Sequence, residues 1–375
     1  MDHSFAGDDR DLGPFLALMV EQGASDLFLE AGAPPTLKCQ GVFRPVAGGV
    51  LDSERIKSLA YSVMREAQIR EFESQLECDL ALHIDRLGRF RINVHVQRGY
   101  VGLVARHITS NIPTLESLRL PPVLKQLAML KRGLVLTVGA AGSGKSTTLA
   151  AMIDHRNANV SGHILTIEDP IEFVHSHKQS LVTQREVGLD THSFDEALRR
   201  AMREAPDVIM IGEIRDRQTM QHALAYAETG HLCVSTMHAN NANQAIQRIL
   251  NFFPEDAHRQ VLMDLSLNLK GVVGQRLIRG VQGKLVPAVE VMLLTPYVSE
   301  LIQKGQVDEL KPTMAKGVEL GMCTFDQSLY ELYARGDISM ERALEHADSR
   351  TDLSLRIRLS SGHRPDTGGL GLRQG

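Results

Sequence analysis

The octapeptide GAAGSGKS at residues 139–146 has the spacing G-x4-G-K-S, and that spacing suits one task, gripping a chain of phosphates. Glycines let the loop bend until successive backbone N–H groups face an anion, and a helix starting there adds the positive end of its dipole. Lys145 would reach the β- and γ-phosphates, and the Ser146 hydroxyl would ligate Mg²⁺. The candidate nucleotide contacts are therefore Gly139, Ala140, Ala141, Gly142, Ser143, Gly144, Lys145, Ser146 and Thr147. The ligands expected are ATP and Mg²⁺.

Phosphoryl transfer also needs acids and cations near the phosphates. DVIMIGE ends in Glu213 at the C-terminal end of an apolar run, where ligands of open α/β sheets bind, so Glu213 is read as the Mg²⁺-side acid. Asp207, roughly 20 Å away along an extended chain, is read as structural. HILTIEDPIEF holds Glu168, Asp169 and Glu172 after a strand ended by Pro170. One of them could orient or deprotonate the attacking water, and spacing does not choose among them. The loop itself brings a single cation, Lys145, so arginines from elsewhere are the expected supplement. Arg89 and Arg91 in RFRINVHV are candidates, although a solvated strand face is the commoner fate of such residues. TGHLCVSTMHAN carries His231 and His238. If the run between them is extended they lie roughly 23 Å apart, too far for one ion.

These groups need a scaffold. The phosphate loop lies between GLVLTVG and an amphipathic helix with Leu149, Met152 and Ile153. GLVLTVG, HILTIE, DVIMIGE, HLCVSTM and AVEVMLL are continuous apolar runs alternating with helices, the pattern of strands buried on both faces of a mainly parallel sheet. Ser193 with Glu196 forms a capping-box pair ahead of one helix, and Gly230 stops the next, MQHALAYAET. His238 would thus leave its strand on the nucleotide side while His231 begins it at the far side. The first hundred residues read differently: a helix at LGPFLALMVEQGAS, strands at DLFLEAG and TLKCQGVFRPV, and one helical segment at SERIKSLAYSVMREAQIREFESQ. Strict alternation in RFRINVHV puts Arg89, Arg91, Asn93 and His95 on one face and Phe90, Ile92, Val94 and Val96 on the other, with VGLVARHI as its neighbour. This half is α+β and antiparallel. TSNIPTLESLRLPP reads as a linker, and small helices follow Gln327.

Composition sets the outer bounds. A chain of 375 residues suggests more than one domain, and 43% apolar content is ordinary for a soluble globular protein. A formal charge of -4 without a basic block argues against nucleic acid as a partner. No apolar run approaches the ~18 residues of a transmembrane segment, and the acidic start MDHSFAGDDRD lacks the features of a signal peptide. The expectation is a cytoplasmic protein. Cys39, Cys78, Cys233 and Cys323 form no C-x2-C pair, which excludes a cysteine-rich zinc module.

Together these stretches resemble the type II/IV secretion ATPase superfamily, and within it the type IV pilus retraction ATPases of the PilT/PilU type. The resemblance covers nearly the whole chain. Its motifs are GAAGSGKST (Walker A), TIEDPIEFVH (Asp box), APDVIMIGEIRD (Walker B) and ETGHLCVSTMHANNA (His box), in family order. It implies a PAS-like α+β N-terminal domain (residues 1–108), a linker (109–122), a RecA-like P-loop ATPase domain with C-terminal helices (123–359) and a disordered tail (360–375). It further implies a homo-hexamer with ATP between domains, docked on an inner-membrane pilus platform protein at the cytoplasmic face of that membrane.

Carried over by motif, the family's catalytic glutamate falls on Glu172 and its Walker B glutamate on Glu213. Its His-box histidines fall on His231 and His238, and its N-terminal-domain arginines on Arg89, Arg91 and Arg106. His238 is expected to sense the γ-phosphate or the base, and His231 to serve a domain or subunit contact. Several departures lean toward the PilU branch, an accessory motor working beside a paralogous retraction ATPase. Ala141 stands where many members have threonine, MHAN replaces LHTN, and PYVSELIQKGQ replaces an AIRNLIRE-type segment. The leading expectation is an ATP-hydrolysing motor for pilus retraction and twitching motility. The alternative is a nucleotide-binding structural subunit that supports a partner hexamer with little hydrolysis of its own.

Overall fold

The computed structural model describes residues 11–39 and 41–360, so the expected disordered tail lies outside the described residues except for Ser360, which closes the last helix. The chain forms two compact units, one of residues up to Asn111 plus Ile171–Ser176, the other of Ile112–Pro170 and residues from His177 onward. The segment Ile171–Ser176 therefore groups with the first unit although its sequence neighbours on both sides belong to the second.

In the first unit β1 (Asp26–Leu29), β2 (Thr36–Cys39), β3 (Val42–Pro45), β4 (Glu77–Ile84), β5 (Gly88–Gln97) and β6 (Tyr100–Ile108) form an antiparallel sheet in the order β3-β2-β1-β6-β5-β4. Alternation sends Phe90, Ile92 and Val94 inward, where they meet α1 (Gly13–Glu21), α2 (Ser53–Ser62) and α3 (Glu66–Gln75) through Leu16, Ile56, Leu59 and Phe72. The expected single helix over SERIKSLAYSVMREAQIREFESQ is broken. Ser62 Oγ donates back to the Leu59 carbonyl, and Arg65 restarts the chain with its N–H bonded to Gln68 Oε1. The break lets α2 bury Ile56, Leu59 and Ala60 while α3 buries Phe72.

In the second unit β7 (Gly133–Val138), β8 (Gly162–Glu168), β9 (Ser180–Glu186), β10 (Val208–Ile211), β11 (Leu232–Met237), β12 (Leu269–Arg279) and β13 (Leu285–Leu293) form a sheet in the order β13-β12-β7-β11-β10-β8-β9. It is parallel except for β13, which pairs antiparallel with β12. Helix α4 (Val123–Ala128) precedes β7, α5 (Lys145–Asn159), α6 (Phe194–Ala201) and α7 (Arg217–Glu228) follow β7, β9 and β10, and α8 (Ala242–Asn251) and α9 (His258–Asn268) both lie between β11 and β12. They are followed by α10 (Pro296–Gln303), α11 (Leu310–Lys316), α12 (Phe325–Ala334), α13 (Met340–Glu345) and α14 (Arg350–Ser360). Because alternate strand residues are buried in two separate clusters, Leu134 and Leu136 in one and Val135 in the other, the strands read as unbroken apolar runs. Each such buried Leu or Ile side chain is worth about 1.5–3 kcal/mol.

Two strands of this sheet were not legible. SLVTQRE of β9 is largely polar, and β12 is interrupted by Gly271 and Gly274. Those glycines are packing requirements, since a Cβ on Gly271 would come 3.1 Å from Leu127 and one on Gly274 would come 3.0 Å from the Phe325 ring. The expected linker is also partly structured: Leu115 and Leu120 are buried in the second unit's core beside Leu124.

Candidate functional site

The P-loop leaves β7 after Val138 and enters α5 at Lys145, with Gly144 as the N-cap in the left-handed region (φ 86°). Gly139 has no room for a side chain, because a Cβ would lie 2.4 Å from Ser143 Oγ and 2.6 Å from the backbone oxygen of Gln275. Lys145 is 8% exposed, and its ammonium donates to the carbonyls of Gly139 and Ala140, both at 2.9 Å. Two hydroxyls here, Ser143 Oγ and Thr137 Oγ1, are buried without a hydrogen-bond partner. A buried hydroxyl left unbonded is costly, and an anion seated in the loop would give that of Ser143, a loop residue, an acceptor. The loop's donors and cation thus fit a phosphate, and Ser146, the second residue of α5, fits a phosphate-bound Mg²⁺.

β12 clamps the loop from the side. Gln275, 4% exposed, accepts a 2.6 Å hydrogen bond from Thr148 Oγ1, and its amide nitrogen faces Gly144. Sequence reading missed both Gln275 and Thr148, because Gln275 gains its meaning only once β12 lies beside β7. A cavity of about 500 Å³ opens next to this clamp, lined by Gly144, Thr147, Gln275, Leu277, Arg119 and Asp337. Arg119 and Asp337 are ion-paired at 2.9 Å.

The acids and histidines divide by strand end. In register, Val138 lies beside Met237, and Ile211 lies beside both Ser235 and Ile167, so the chain leaves β7, β11, β10 and β8 at one edge. There His238 Nε2 is 3.1 Å from Glu213 Oε1. Arg215 Nε donates to Glu213 Oε2 at 2.8 Å, and its NH1 is 3.4 Å from Asp169 Oδ2. The bond to Glu213 foremost holds the Arg215 guanidinium charged. Arg215 was not singled out in sequence, though its place two residues after Glu213 in GEIRD was a signal. Glu213, expected on the Mg²⁺ side, lies at this edge with its oxygens bonded to Arg215 and His238. His231 sits at the opposite end of β11, its Nδ1 3.1 Å from Thr229 Oγ1 and its N–H bonded to the Tyr226 carbonyl.

Of the three Asp-box acids, Glu168 is buried and accepts from Thr166 Oγ1 (2.6 Å) and Gln184 Nε2 (3.0 Å), a structural setting. Asp169 pairs with Arg215. Glu172 is exposed and lies in Ile171–Ser176, within the first unit, where the Val174 N–H bonds to the Thr109 carbonyl. Also in the first unit, Arg89, Arg91 and Arg106 share one sheet face: Arg91 stands opposite Arg106, and Arg106 stands opposite Asp26. Arg106 Nε donates to Asp26 Oδ1 at 2.7 Å and Ser25 Oγ to its Oδ2 at 2.8 Å, so this carboxylate, only 5% exposed, is paired.

Among the described residues no helix is long and apolar enough to cross a membrane. A family model described as type II/IV secretion system protein matches residues 105–325. The type IV pilus ATPase PilU of Pseudomonas aeruginosa is 57% identical over 347 residues, which span 92% of this chain and 91% of that protein. The type IV pilus retractation ATPase PilT of the same organism is 44% identical over 337 residues, 90% of this chain and 98% of the relative. Among solved structures, the crystal structure of the pilus retraction motor PilT with bound ADP superposes with a TM-score of 0.87 at 40% identity, covering 92% of this chain and 99% of that one.

Proposed function

Because the chain belongs to the type II/IV secretion system protein family, among the type IV pilus ATPases of the PilT/PilU type, we propose that it hydrolyses ATP to drive pilus retraction as a PilU-like motor. The observation that carries this reading is the juxtaposition, on one sheet edge, of a phosphate-shaped loop with the Glu213–His238–Arg215–Asp169 cluster. The triphosphate lies along residues 139–147, with Lys145 exchanging its carbonyl contacts for phosphate oxygens. The nucleoside occupies the cavity beside Gly144 and Thr147. Ser146 would hold Mg²⁺, with Glu213 as the acid on the metal side, and the ion would neutralise phosphate charge when bound.

Glu172 is assigned as the base. It takes a proton from water as the oxygen attacks the γ-phosphorus in line; the bond to the β,γ-bridging oxygen breaks and its electron pair stays with ADP. Arg89, Arg91 and Arg106 are the cations proposed to stabilise the charge on the transferring group. His238, bonded to Glu213, reports the state of the phosphate site to the β11–α8 turn. His231, at the other end of β11, serves a domain or subunit contact.

The assembly we propose is a homo-hexamer at the cytoplasmic face of the inner membrane, bearing on the pilus platform protein and working with a paralogous retraction ATPase. The 57% identity to a PilU supports the accessory role. Purified protein should hydrolyse ATP, and Lys145→Ala should abolish hydrolysis while leaving a folded chain. Cells carrying Lys145→Ala should retract pili only when an active paralogue is present. Hydrolysis unaffected by Lys145→Ala would refute the site, and Glu172→Gln turning over at the wild-type rate would refute the base.

A further inference from the structure

Glu290 on β13 is 1% exposed, and its Oε1 accepts a 2.8 Å hydrogen bond from the backbone N–H of Ala242. Ala242 is the first residue of α8, so that N–H is one of the donors a helix cannot satisfy internally, and a carboxylate there also meets the positive end of the helix dipole. Asn241, the N-cap, satisfies the Gln244 N–H, which leaves the Ala242 amide to Glu290. Only His238, Ala239, Asn240 and Asn241 separate the end of β11 from Ala242. Ala239 is buried, and His238 is the residue bonded to Glu213.

A carboxyl is an expensive way to fill this place. Across the ladder Glu290 faces Gly274, where a Cβ would come within 3.3 Å of Glu290 Cβ. The charges that act on it are Asp348, Arg276 and Lys311, but Arg276 and Lys311 both pair with Asp348, at 2.7 and 3.0 Å. Burial accordingly pushes the Glu290 carboxyl up to about 7. An apolar residue of the same volume would avoid that cost, so packing does not account for an acid here, whereas the anchored amide does.

We propose that Glu290 is a positioning residue for ATP hydrolysis: by holding the Ala242 amide, it sets the turn that carries His238 against Glu213. The proposal rests on the role given to His238 above. The test measures kcat and KM for ATP in the full-length protein for Glu290→Leu, Glu290→Gln and Ala242→Pro, each alone and combined with His238→Ala. Proline suits the first position of a helix, and at the buried Ala242 it removes the donor while its ring displaces the Glu290 carboxyl, so it breaks the same bond from the other side if the leucine variant does not fold. Glu290→Leu and Ala242→Pro should each lower kcat about tenfold, the scale of one buried group left unbonded, with KM unchanged. Glu290→Gln, which keeps an acceptor, should restore kcat. In the His238→Ala background neither Glu290→Leu nor Ala242→Pro should cost anything further. Wild-type kcat in Ala242→Pro or in folded Glu290→Leu overturns the proposal, as does a full additional loss in the His238→Ala background. Wild-type kcat in His238→Ala alone overturns instead the reading of His238 on which it stands.

Discussion

Gly139→Ala tests whether the loop geometry governs nucleotide binding. Gly139 carries no left-handed φ, so alanine is conformationally acceptable and the entire effect must come from space. The new methyl would sit 2.4 Å from Ser143 Oγ and 2.6 Å from the Gln275 carbonyl oxygen. Ser143 can rotate away, since its hydroxyl holds no bond. The Gln275 oxygen cannot, because Gln275 pairs with Val289 of β13 and directly follows Gly274, which pairs with Val138 of β7. Relief therefore requires the loop to retreat by several tenths of an ångström, an overpacking cost of about 1–3 kcal/mol. A loop displaced by that much misaims its amides, and misplacements near 1 Å cost up to ~100-fold in rate. Gly188→Ala is the control: its φ of 88° imposes left-handed strain of roughly 1–2 kcal/mol, nothing lies within 4 Å of its methyl, and it is outside the phosphate loop. Urea unfolding should find both variants destabilised by comparable amounts. Fluorescent-nucleotide titration and steady-state ATPase should find only Gly139→Ala severely impaired. Wild-type affinity and kcat in Gly139→Ala would refute the argument that β12 sets the loop's position.

Three further outcomes are expected. His238→Ala should slow single-turnover hydrolysis more than His231→Ala, because only His238 touches Glu213; equal defects would sink the division of the pair. Glu290, raised from 4.5 to about 7, binds its proton more readily folded than unfolded, so its contribution to stability is fully present below pH 4.5 and is lost as pH rises through 7. Glu290→Gln should therefore gain on wild type between pH 5 and pH 8, by on the order of 3 kcal/mol in urea unfolding, and a pH-independent difference would contradict the assignment. Thr148→Val leaves the buried Gln275 Oε1 without its donor and should cost about 1–3 kcal/mol of stability. Adding Gln275→Leu should recover part of that loss in a double-mutant cycle.

Much of the site was legible because its signals are short and local. A strand, a glycine-bearing turn and a helix start identify the phosphate loop within some twenty contiguous residues, and the alternation in RFRINVHV announced the face shared by Arg89 and Arg91, which the structure extends to Arg106. The length of HLCVSTM was enough to send His231 and His238 to opposite ends of one strand. What could not be read depended on strand order. Nothing in LKGVVGQRLIR says that it will lie beside β7 and bring Gln275 to the loop, and its glycines, which interrupt the apolar run, make sense only against Leu127 and Phe325.

Ion-pair partners were hidden for the same reason. Arg215 joins Glu213 to Asp169 across adjacent strand ends, Glu290 reaches the α8 amide from an antiparallel edge strand, and the segment carrying Glu172 groups with the first unit despite its place in the sequence. By itself, then, the sequence determined the local backbone conformations and the chemical groups available, because turn geometry and burial periodicity are settled over a few residues. Only the tertiary structure decided which groups meet, because the strand order and unit boundaries that bring them together are set by burying surfaces far apart along the chain.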